Sequence, residues 1–550
     1  MNEPSFKTFF INSKHDYKKA SLYKKAYKEI LSENLFDKDF YIKKYFQKEE
    51  LNMDPLIHYL FFGYKEHKVP NLDFDGDIYL DNYPEVKKLD MNPLVHYVIF
   101  GKNEGNKSFL SSQSSTYNKI IKINELFLNN YVFDVEPLVS IIVLNRNGLV
   151  HLERLFDNFG FFTNYDNFEV IVVDNGSVDG SVDFLESLSV DFSLNIIKNE
   201  VNKSFSEANN QAVDFCNGDY VLLLNNDMEP TFGWLNEMVG TMLYNDNVGA
   251  VGAKLIYPYY YDEENNFKSF SIQHVGDIFG QRIEPCCAYA YNKNKFEKVY
   301  ESSINKTNTT IAVTAAVVLI KKSIYQEIKG LNEEYFYGFE DVDFMLNLHK
   351  RGYKTLYCST ALLFHHESST RTINKNEYLI NDKNNTKILW QNQGKYITKN
   401  IFLDKINHRK FFTEKPLKFV FLLEEFTTQN KNYKFVSDLA KNLIKNEFDV
   451  EVLTPSEKQD TGDDGDILIS FSANYNIEDL RFRKNSLKIL LLNENINNNY
   501  LNSYEMIITQ NESIYNYIHQ KYSNSFFINP NIDFYEEFLI IIKNYIINNL

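Results

Sequence analysis

The 550-residue sequence has little cysteine, proline, glycine and tryptophan: 4 Cys, 12 Pro, 21 Gly and 2 Trp. The cysteines show no Cys-x-x-Cys spacing, which argues against a disulfide framework and against a structural zinc site. No apolar run reaches the roughly 18 residues of a membrane span. The N-terminus also lacks the apolar core and cleavage site of a signal peptide. We therefore expect a protein of the reducing cytoplasm, with peripheral association at the inner face of the membrane left open.

Basic residues are fewer than acidic ones, 58 Lys and Arg against 74 Asp and Glu, which gives a net charge of −16 at pH 7. A nucleic-acid-binding protein usually carries a basic face, so this balance argues against a nucleic-acid partner. A phosphate ligand would need a metal ion, Lys or Arg close by. Hydrophobic residues make up 44% of the chain, which is enough to bury folded cores and excludes general disorder.

An internal repeat occupies residues 36–71 and 74–109, within a predicted helical domain of residues 1–110. The recurring prolines suit the first turn of a helix, and the recurring glycines suit its end. We predict two stacked helical hairpins whose histidines pack beside tyrosines rather than bind metal. Eight residues of the first copy recur 38 positions later: Phe36, Tyr41, Tyr45, Pro55, His58, Tyr59, Gly63 and Glu66 match Phe74, Tyr79, Tyr83, Pro93, His96, Tyr97, Gly101 and Glu104.

A linker is predicted at residues 111–136, and the pattern of apolar and polar residues changes at Pro137. Apolar runs such as VSIIVLN, FEVIVVDN and YVLLLNND alternate with helical patterns to about residue 395. This alternation predicts an α/β domain at 137–395 with a mainly parallel sheet, whose ligands bind at the carboxyl ends of the strands. A second linker is predicted at 396–415. A Rossmann-like α/β domain follows at 416–550, ending in an amphipathic helix expected to pack rather than to anchor in a membrane.

Two polar clusters end predicted strands of the middle domain. Asp174 closes the run VVDN, where a carboxylate can accept hydrogen bonds from a base or a sugar hydroxyl, although Asp-Asn-Gly-Ser is also good turn chemistry. Asp227 follows LLLNN, where it could hold a hard divalent cation against a diphosphate. On this motif alone, a metal site and a simple strand-to-turn transition are about equally supported.

Two further clusters lie later in the domain. Glu340, Asp341 and Asp343 crowd the start of a predicted helix, which exceeds what capping requires and suits a general base. His365 and His366 end an apolar run and could supply a metal ligand or a phosphate contact, although a lone strand-end histidine is more often structural.

Together these motifs resemble a family-2 glycosyltransferase with the GT-A nucleotide-diphospho-sugar transferase fold, over residues 137–372. The segments SIIVLNRNGLVHLERLFDN, VVDNGSVDGS, NKSFSEANNQA, LLLNNDMEP, FEDVDFMLNLHKRGYKT and FHHESSTR stand in the family's order. Two positions depart from the family pattern. Ser204 replaces the usual Gly, and Asn225 leaves the metal motif one carboxylate short.

The resemblance implies a role for each site residue. Asp341 would be the catalytic base and Glu340 would contact donor sugar or acceptor; Asp227 and His365 would hold Mn²⁺ or Mg²⁺ on the donor diphosphate. The nucleotide pocket would include Asn145, Asp174, Asn202 and Asn226. Acceptor contacts would come from His274, for which loop packing is an equal alternative, and from Asp343, which is also the rival base.

The flanking domains carry resemblances of their own. The 38-residue repeats resemble modules attached to some bacterial polysaccharide glycosyltransferases. Residues 416–550 resemble the N-terminal lobe of a GT-B glycosyltransferase. In that fold the nucleotide sits mainly on the second lobe, so we expect this domain to be non-catalytic.

These features favour an inverting glycosyltransferase that moves a sugar from a UDP or dTDP sugar to a hydroxyl of a growing cell-surface glycan. Capsule and lipopolysaccharide are examples of such a glycan, and the acceptor could be lipid-linked. The alternative is a catalytically inactive scaffold that binds other polysaccharide-assembly proteins. A sugar-nucleotide pyrophosphorylase ranks lowest, because the first strand leads into LNRNGLVH rather than a Gly-rich phosphate loop.

Overall fold

The computed structural model describes residues 17–46, 51, 53–71, 74–89, 91–106, 113–258, 270–281, 288–335, 337–366, 375–425, 427–454, 465–471, 486–492 and 501–549. Cys286, Cys287 and the SSTR end of the late histidine motif lie outside these residues. Within the described ranges, no helix combines the length and apolarity that crossing a bilayer requires.

The N-terminal part is helical. Two helices begin at the recurring prolines, Pro55 and Pro93. The residues just before them, Asp54 and Asn92, accept backbone N–H groups of the first helical turn with their side chains. A 3₁₀ turn at Gly63–Glu66 and a π turn at Tyr97–Gly101 follow them. The helices are α1 Tyr17–Ser32, α2 Lys38–Tyr45, α3 Pro55–Phe61, α4 Gly76–Asn82, α5 Pro84–Lys87, α6 Pro93–His96 and α7 Gln113–Leu126.

Both repeats make the same buried contact. The Tyr41 hydroxyl lies 2.9 Å from His58 Nδ1, and the Tyr79 hydroxyl lies 3.0 Å from His96 Nδ1. Burial lowers the pKa of both histidines, so each ring is held neutral beside its tyrosine. The histidines therefore pack beside tyrosines, as the sequence predicts.

The recurring glycines have a different role from the helix stop predicted for them. A Cβ atom on Gly63 would lie 2.1 Å from the Tyr41 hydroxyl, and one on Gly101 would lie 2.4 Å from the Tyr79 hydroxyl. Neither glycine is among the residues of positive φ. They recur because the tyrosine needs the space, and not because the backbone is left-handed.

The middle part contains a ten-stranded sheet of order β10-β12-β6-β11-β4-β1-β2-β3, with β5 paired to β12 and β7 to β6. A separate hairpin joins β8 and β9. The strands are β1 Val139–Asn145, β2 Phe168–Asp174, β3 Ser193–Lys198, β4 Tyr220–Asn225, β5 Met228–Pro230, β6 Val248–Ile256, β7 Ile272–His274, β8 Asp277–Gln281, β9 Ala288–Asn292, β10 Asn308–Thr310, β11 Val317–Lys321 and β12 Lys354–His365.

Helices cover both faces of this sheet, and the α/β prediction is confirmed. They are α8 Leu149–Phe162, α9 Ser181–Ser187, α10 Phe205–Val213, α11 Trp234–Leu243, α12 Lys322–Ile328, α13 Glu340–Lys350 and α14 Lys375–Ile406. The mainly parallel sheet was a wrong prediction, because β11 runs antiparallel between β4 and β6, and β5, β7 and β10 also pair antiparallel. The sheet is mixed, and only β3-β2-β1-β4 and β6-β12 are parallel.

Ser204, the departure from the family's usual glycine, has a local explanation. Its hydroxyl accepts the backbone N–H of Glu207 at 3.2 Å, and the Glu207 carboxylate accepts the backbone N–H of Ser204 at 2.8 Å. This capping box begins α10 and takes up N–H groups that the first helical turn cannot use.

Neither predicted linker is an extended connector. Residues 111–136 include α7, whose Asn124 side chain donates to the Thr360 carbonyl on β12 at 2.7 Å. Residues 396–415 include the last turns of α14 and a loop in which Phe412 pairs with β8, since the Phe279 N–H donates to the Phe412 carbonyl at 2.8 Å. Both segments pack against the middle domain.

The C-terminal part holds a six-stranded, all-parallel sheet of order β14-β13-β15-β16-β17-β18. The terminal helix buries Phe538, Ile542 and Ile546 in its core, so the prediction that it packs is confirmed. The elements are β13 Lys418–Leu422, α15 Tyr433–Lys445, β14 Asp449–Leu453, β15 Ile467–Ser470, β16 Leu487–Leu492, β17 Met506–Thr509, α16 Glu512–His519, β18 Ser525–Phe527 and α17 Phe534–Asn549.

Candidate active site

The carboxyl ends of three neighbouring strands are joined by side-chain hydrogen bonds. Asn145 at the end of β1 donates from Nδ2 to Asp174 Oδ1 at 3.0 Å, and these residues are register partners in the sheet. Its Oδ1 accepts from Asn226 Nδ2 at 2.8 Å, just beyond β4. Asn145 and Asp174 are each 2% exposed. Three of the four residues predicted for the nucleotide pocket therefore form one connected group.

The turn after β2 is built on the same aspartate. Asp174 Oδ2 accepts the backbone N–H of Ser177 at 2.9 Å, while the Ser177 hydroxyl accepts the N–H of Asn147 at 2.8 Å. Asp179 accepts the N–H of Leu149 at the start of α8. Burial would raise the pKa of Asp179, but hydrogen bonds from Ser181 and Leu149 outweigh it and lower that pKa. The turn chemistry and the strand-end cluster thus coexist.

The fourth predicted pocket residue, Asn202, lies apart from this network. It is exposed in the loop that runs from β3 to α10. The neighbouring Lys203 is tied to Gln211 of α10 at 2.9 Å. Asn202 thus sits at the rim of the same sheet edge.

The predicted metal residues meet where β5 pairs with the end of β12. Asp227 Oδ1 lies 3.2 Å from His365 Nε2, and the other ring nitrogen lies 2.6 Å from Gln273 Oε1 on β7. The backbone N–H of His366 donates to the Asp227 carbonyl at 3.0 Å, which holds the two segments together. The structure therefore brings together two residues that are 138 positions apart in the sequence.

The distance between Asp227 and His365 suits binding of one divalent cation, but the two residues supply only part of its ligands. Two atoms that bind the same ion at about 2.1 Å each lie about 3 Å apart, which matches the Asp227–His365 separation. Carboxylate and imidazole suit Mn²⁺, and Mg²⁺ is commonly held by one or two carboxylates together with substrate phosphates. Within the described ranges no group of three or more His, Cys, Asp or Glu forms a complete metal cage. The protein alone would supply two ligands, and a diphosphate would complete the shell.

A second carboxylate–imidazole pair lies beside the first. His366 Nε2 is 3.0 Å from Glu229 Oε2, and Glu229 Oε1 accepts a short hydrogen bond from the Tyr117 hydroxyl of α7. Burial is the largest influence and would raise the pKa of Glu229, but the hydrogen bond and charge of His366, together with the Tyr117 hydrogen bond and the charge of Arg154, outweigh it and lower that pKa. The sequence indicated His366 only as an alternative ligand, and the parts of Tyr117 and Glu229 were not predicted from it.

The predicted base, Asp341, is held by two backbone N–H groups at the start of α13. Oδ2 accepts from Ala315 at 3.1 Å, and Oδ1 accepts from Val342 at 2.8 Å. Its side chain is partly exposed, whereas the adjacent Glu340 is 6% exposed. Negative charge at a helix N-terminus is stabilised by the peptide dipoles, and each carboxylate oxygen keeps a lone pair for a proton.

His274 is buried against the same segment. Its Nε2 accepts the backbone N–H of Thr314 at 3.1 Å, so the ring proton lies on Nδ1, 3.8 Å from Asp277 Oδ1. Burial lowers the pKa of His274 to about 4, while burial and the nearby Asp341 raise the pKa of Asp277 well above its ordinary value. Asp277 was missed by the sequence analysis, although an acid between two apolar residues was a signal.

Asp343, the rival base and a predicted acceptor contact, lies apart from this group. Its Oδ1 accepts from Gln393 Nε2 of α14 at 2.7 Å, and it is 3% exposed. Burial raises its pKa, with Gln393 the main opposing influence. Since i and i+2 positions face different sides of a helix, Asp343 ties α13 to α14 while Asp341 faces Ala315.

Two consecutive residues of β7 connect the Asp227–His365 pair with Asp341. The part of the sheet edge that holds Asp227 and His365 is called the metal edge below. Gln273 contacts His365, and His274 contacts Thr314, whose neighbour Ala315 contacts Asp341. The strand-end carboxylates and Asp341 at the start of α13 are thus connected at one edge of the mixed sheet. A family model described as "Glycosyl transferase family 2" matches residues 140–321, which contain most of this site.

Residues 140–321 form a glycosyltransferase family 2 domain. The recognition made from the sequence motifs is therefore confirmed for this region, whereas the repeats and the C-terminal domain lie outside the match.

Two curated relatives and one solved structure show similarity to parts of the chain. "Uncharacterized protein y4gI" of Sinorhizobium fredii is 35% identical over 242 residues, 43% of this chain and 25% of that protein. "O-antigen biosynthesis protein RfbC" of Myxococcus xanthus is 28% identical over 243 residues, 43% of this chain and 18% of that protein. The chain thus spans a quarter or less of the length of these two relatives. A structure of GalNAc-T7 with UDP, GalNAc and Mn²⁺ aligns with TM-score 0.36 at 13% identity, over 58% of this chain and 56% of that one.

Proposed function

We propose that this protein is an inverting glycosyltransferase that moves a sugar from a UDP or dTDP sugar to a hydroxyl of a growing cell-surface glycan. The observation that carries the proposal is the connection of the Asp227–His365 pair to Asp341 through Gln273 and His274, of which Asp227, Gln273 and His274 lie within the family 2 match and His365 and Asp341 follow it. The name of the Myxococcus relative, an O-antigen biosynthesis protein, supports a polysaccharide as the acceptor class.

The proposed roles follow from position. Asn145, Asp174 and Asn226 would bind the nucleoside at the strand ends, with Asn202 at the rim. Asp227 and His365 would hold Mn²⁺ or Mg²⁺ against the donor diphosphate. When bound, the ion would neutralise the charge that develops on the departing nucleoside diphosphate.

Asp341 would take the proton of the acceptor hydroxyl as its oxygen attacks the anomeric carbon. The backbone N–H groups of Ala315 and Val342 hold the carboxylate in one orientation, so little reorganisation is needed in the transition state. A single in-line displacement inverts the anomeric configuration. Glu340, buried beside the base, would contact the donor sugar or the acceptor, and His274 would shape the acceptor side.

The flanking parts would serve assembly. We propose residues 1–110 as a repeat domain for docking or acceptor binding, and residues 416–550 as a domain without its own catalysis. Partners would be a nucleotide sugar, a glycan or lipid-linked glycan, and other polysaccharide-assembly proteins, at the inner face of the cytoplasmic membrane.

Nucleotide-sugar hydrolysis distinguishes the enzyme from an inactive scaffold. Purified full-length protein should hydrolyse at least one UDP or dTDP sugar slowly when Mn²⁺ is present, and excess EDTA should abolish the activity. Asp227→Asn should weaken metal-dependent donor binding by at least the roughly 10- to 100-fold that changing a partner of a metal ligand usually costs, because Asp227 would be a ligand itself. No hydrolysis and no binding with any donor would favour the scaffold, and full activity in EDTA would refute the metal site.

A further inference from the structure

Helix α7 lies against β12 and reaches the metal edge. Its Asn124 side chain binds the Thr360 carbonyl, and the Tyr117 ring stacks on Phe364 with centroids 4.6 Å apart. Phe364 immediately precedes His365, so α7 covers the last residues of β12 before the site. This helix is outside the residues that the family model matches.

Tyr117 also connects two strands through one carboxylate. Its hydroxyl donates to Glu229, the middle residue of β5, and the other oxygen of Glu229 lies 3.0 Å from His366. Strand β5 has only three residues, Met228–Pro230, and pairs with β12 at Leu363–His365. So short a strand makes few backbone hydrogen bonds, and the side-chain links add to them.

The side-chain links of Tyr117, Glu229 and His366 affect the distance between the two proposed metal ligands, Asp227 and His365. Asp227 directly precedes β5, and His365 is the last residue of β12. Their 3.2 Å separation therefore depends on the register between β5 and the end of β12. Tyr117, Glu229 and His366 form a clamp across that junction, and the backbone N–H of His366 binds Asp227 directly.

We propose that Tyr117 is a positioning residue for the metal edge, acting through Glu229 and His366 to hold Asp227 and His365 at metal-binding distance. The inference rests on the proposed function, because it assumes that this pair binds a divalent ion. It also assigns α7 a role in the active site and places the control of that site partly in the segment that joins the repeats to the catalytic domain.

The test is Mn²⁺ affinity, measured on the full chain by calorimetry without turnover, both alone and in the presence of UDP. Tyr117→Phe keeps the ring and its stacking on Phe364 but removes the hydroxyl. We expect Mn²⁺ binding to weaken about 10-fold, at the lower end of the usual effect of groups that orient metal ligands. The matched control is Tyr165→Phe, which removes a buried hydroxyl bonded to the Pro137 carbonyl at 2.5 Å, away from the metal edge. The control should leave Mn²⁺ affinity unchanged.

A double-mutant cycle separates positioning from general destabilisation. If Tyr117 acts through Glu229, adding Tyr117→Phe to Glu229→Gln should cost little more than Glu229→Gln alone. Additive losses, or equal Mn²⁺ affinity in the wild type and Tyr117→Phe, would overturn this inference and leave the proposed function standing. A wild-type protein that binds no Mn²⁺, even with UDP, would overturn both.

Discussion

The middle sheet is mixed and the C-terminal sheet is all parallel, but both contain buried parallel strands, and the side chains that end those strands differ. In the middle domain β1 and β2 end in Asn145 and Asp174, β3 ends in Lys198, and β4 ends in Asn225 with Asp227 two residues beyond it. In the C-terminal domain the described strands end in apolar or hydroxyl side chains, and polar residues such as Glu424 and Asn511 come two residues beyond β13 and β17; the strand ends are Leu422, Leu453, Ser470, Leu492, Thr509 and Phe527. Buried apolar runs produce the sheet in both cases, and we propose that the residues at the strand ends decide whether that edge binds a metal ion and a diphosphate.

The two domains share one helix. The middle domain buries two large apolar clusters on the faces of its own sheet, and α14 adds Leu389 and Ile397 to one of them. The same helix contributes Phe402 to the C-terminal core and Lys405 to a buried ion pair with Asp466. This 32-residue helix therefore belongs to both units, since its Gln393 binds Asp343 of α13.

The largest expected effect concerns the base in the middle domain. Asp341→Asn should lower turnover by about 10²- to 10⁴-fold, because general-base catalysis is typically worth that much. Donor affinity should change little, since the proposed nucleotide residues are bound to one another and Asp341 accepts from Ala315 and Val342. Steady-state turnover and donor binding should be measured side by side.

Asp343→Asn is the matched control, two residues along the same helix. It should keep turnover within a few-fold, because its carboxylate binds Gln393 rather than facing Ala315. An inactive Asp343→Asn with a near-normal Asp341→Asn would move the base to Asp343.

The second prediction separates the stability of the two sheets. Lys405 Nζ lies 2.7 Å from Asp466 Oδ2, and both side chains are 5% exposed. Lys405→Met would leave a buried carboxylate without its cation, which typically costs about 3–5 kcal/mol. Hydrogen exchange should show the loss of protection in β13 and β15, while β1 and β2 stay protected.

Two further variants check the cause. Lys405→Met with Asp466→Asn should recover part of the loss, because the amide oxygen can still accept the Lys418 N–H now bound to Asp466. Lys441→Met removes an exposed pair with Asp438 and should cost less than about 1 kcal/mol. Equal losses in the buried and exposed variants would contradict the argument.

The third prediction concerns the loss of folding stability of the middle domain at acid pH. His349 on α13 stacks on Phe411, and burial lowers its pKa to about 4. The unfolded chain takes up this proton near pH 6.5, so the stabilisation is complete above pH 6.5 and is lost as the pH falls towards 4. At pH 5 the loss should reach about 2 kcal/mol, at about 1.4 kcal/mol per pH unit.

His274, with a pKa also lowered to about 4, adds to this effect in the same domain. Hydrogen exchange at pH 7.5 and 5 should therefore show the middle sheet losing protection before the C-terminal sheet. His349→Phe, which keeps an aromatic ring against Phe411, should reduce the difference between the two pH values. An acid response that begins in β13–β17 would contradict the assignment.

Much of the middle site was predictable because its residues follow apolar runs. The end of such a run is visible in the sequence, so Asp174, Asp227 and His365 could be named from it, and the family motifs gave their order. Asp341 was singled out because three acids in four positions exceed what a helix start needs, and its role as the base stays a prediction. The α/β class followed from the same alternation of patterns.

What the sequence did not reveal depends on contacts between distant segments. The antiparallel β11 has the same apolar composition as its parallel neighbours, so its direction is set by tertiary pairing. Tyr117 lies in a segment that looks like a linker, and its importance comes from Glu229, 112 residues away. Asp343 could not be separated from Asp341 until the position of Gln393 was known.

The smallest expected effect is an absence, and it tests the comparison of the two sheets directly. If strand-end chemistry decides which sheet binds nucleotide, the full chain should bind UDP, dTDP or GDP at a single saturable site in the presence of Mn²⁺. Calorimetry should give one nucleotide per chain in the wild type, and Asp227→Asn should remove or strongly weaken that binding without revealing another site. We expect no nucleotide to bind at a second site on the C-terminal sheet. The side chains of Leu422, Leu453 and Leu492 offer no hydrogen bond or charge, and those of Ser470 and Thr509 offer only hydroxyls. A second site that survives Asp227→Asn with micromolar affinity would place nucleotide on the C-terminal sheet and would show that backbone groups or the loops beyond its strands suffice for binding.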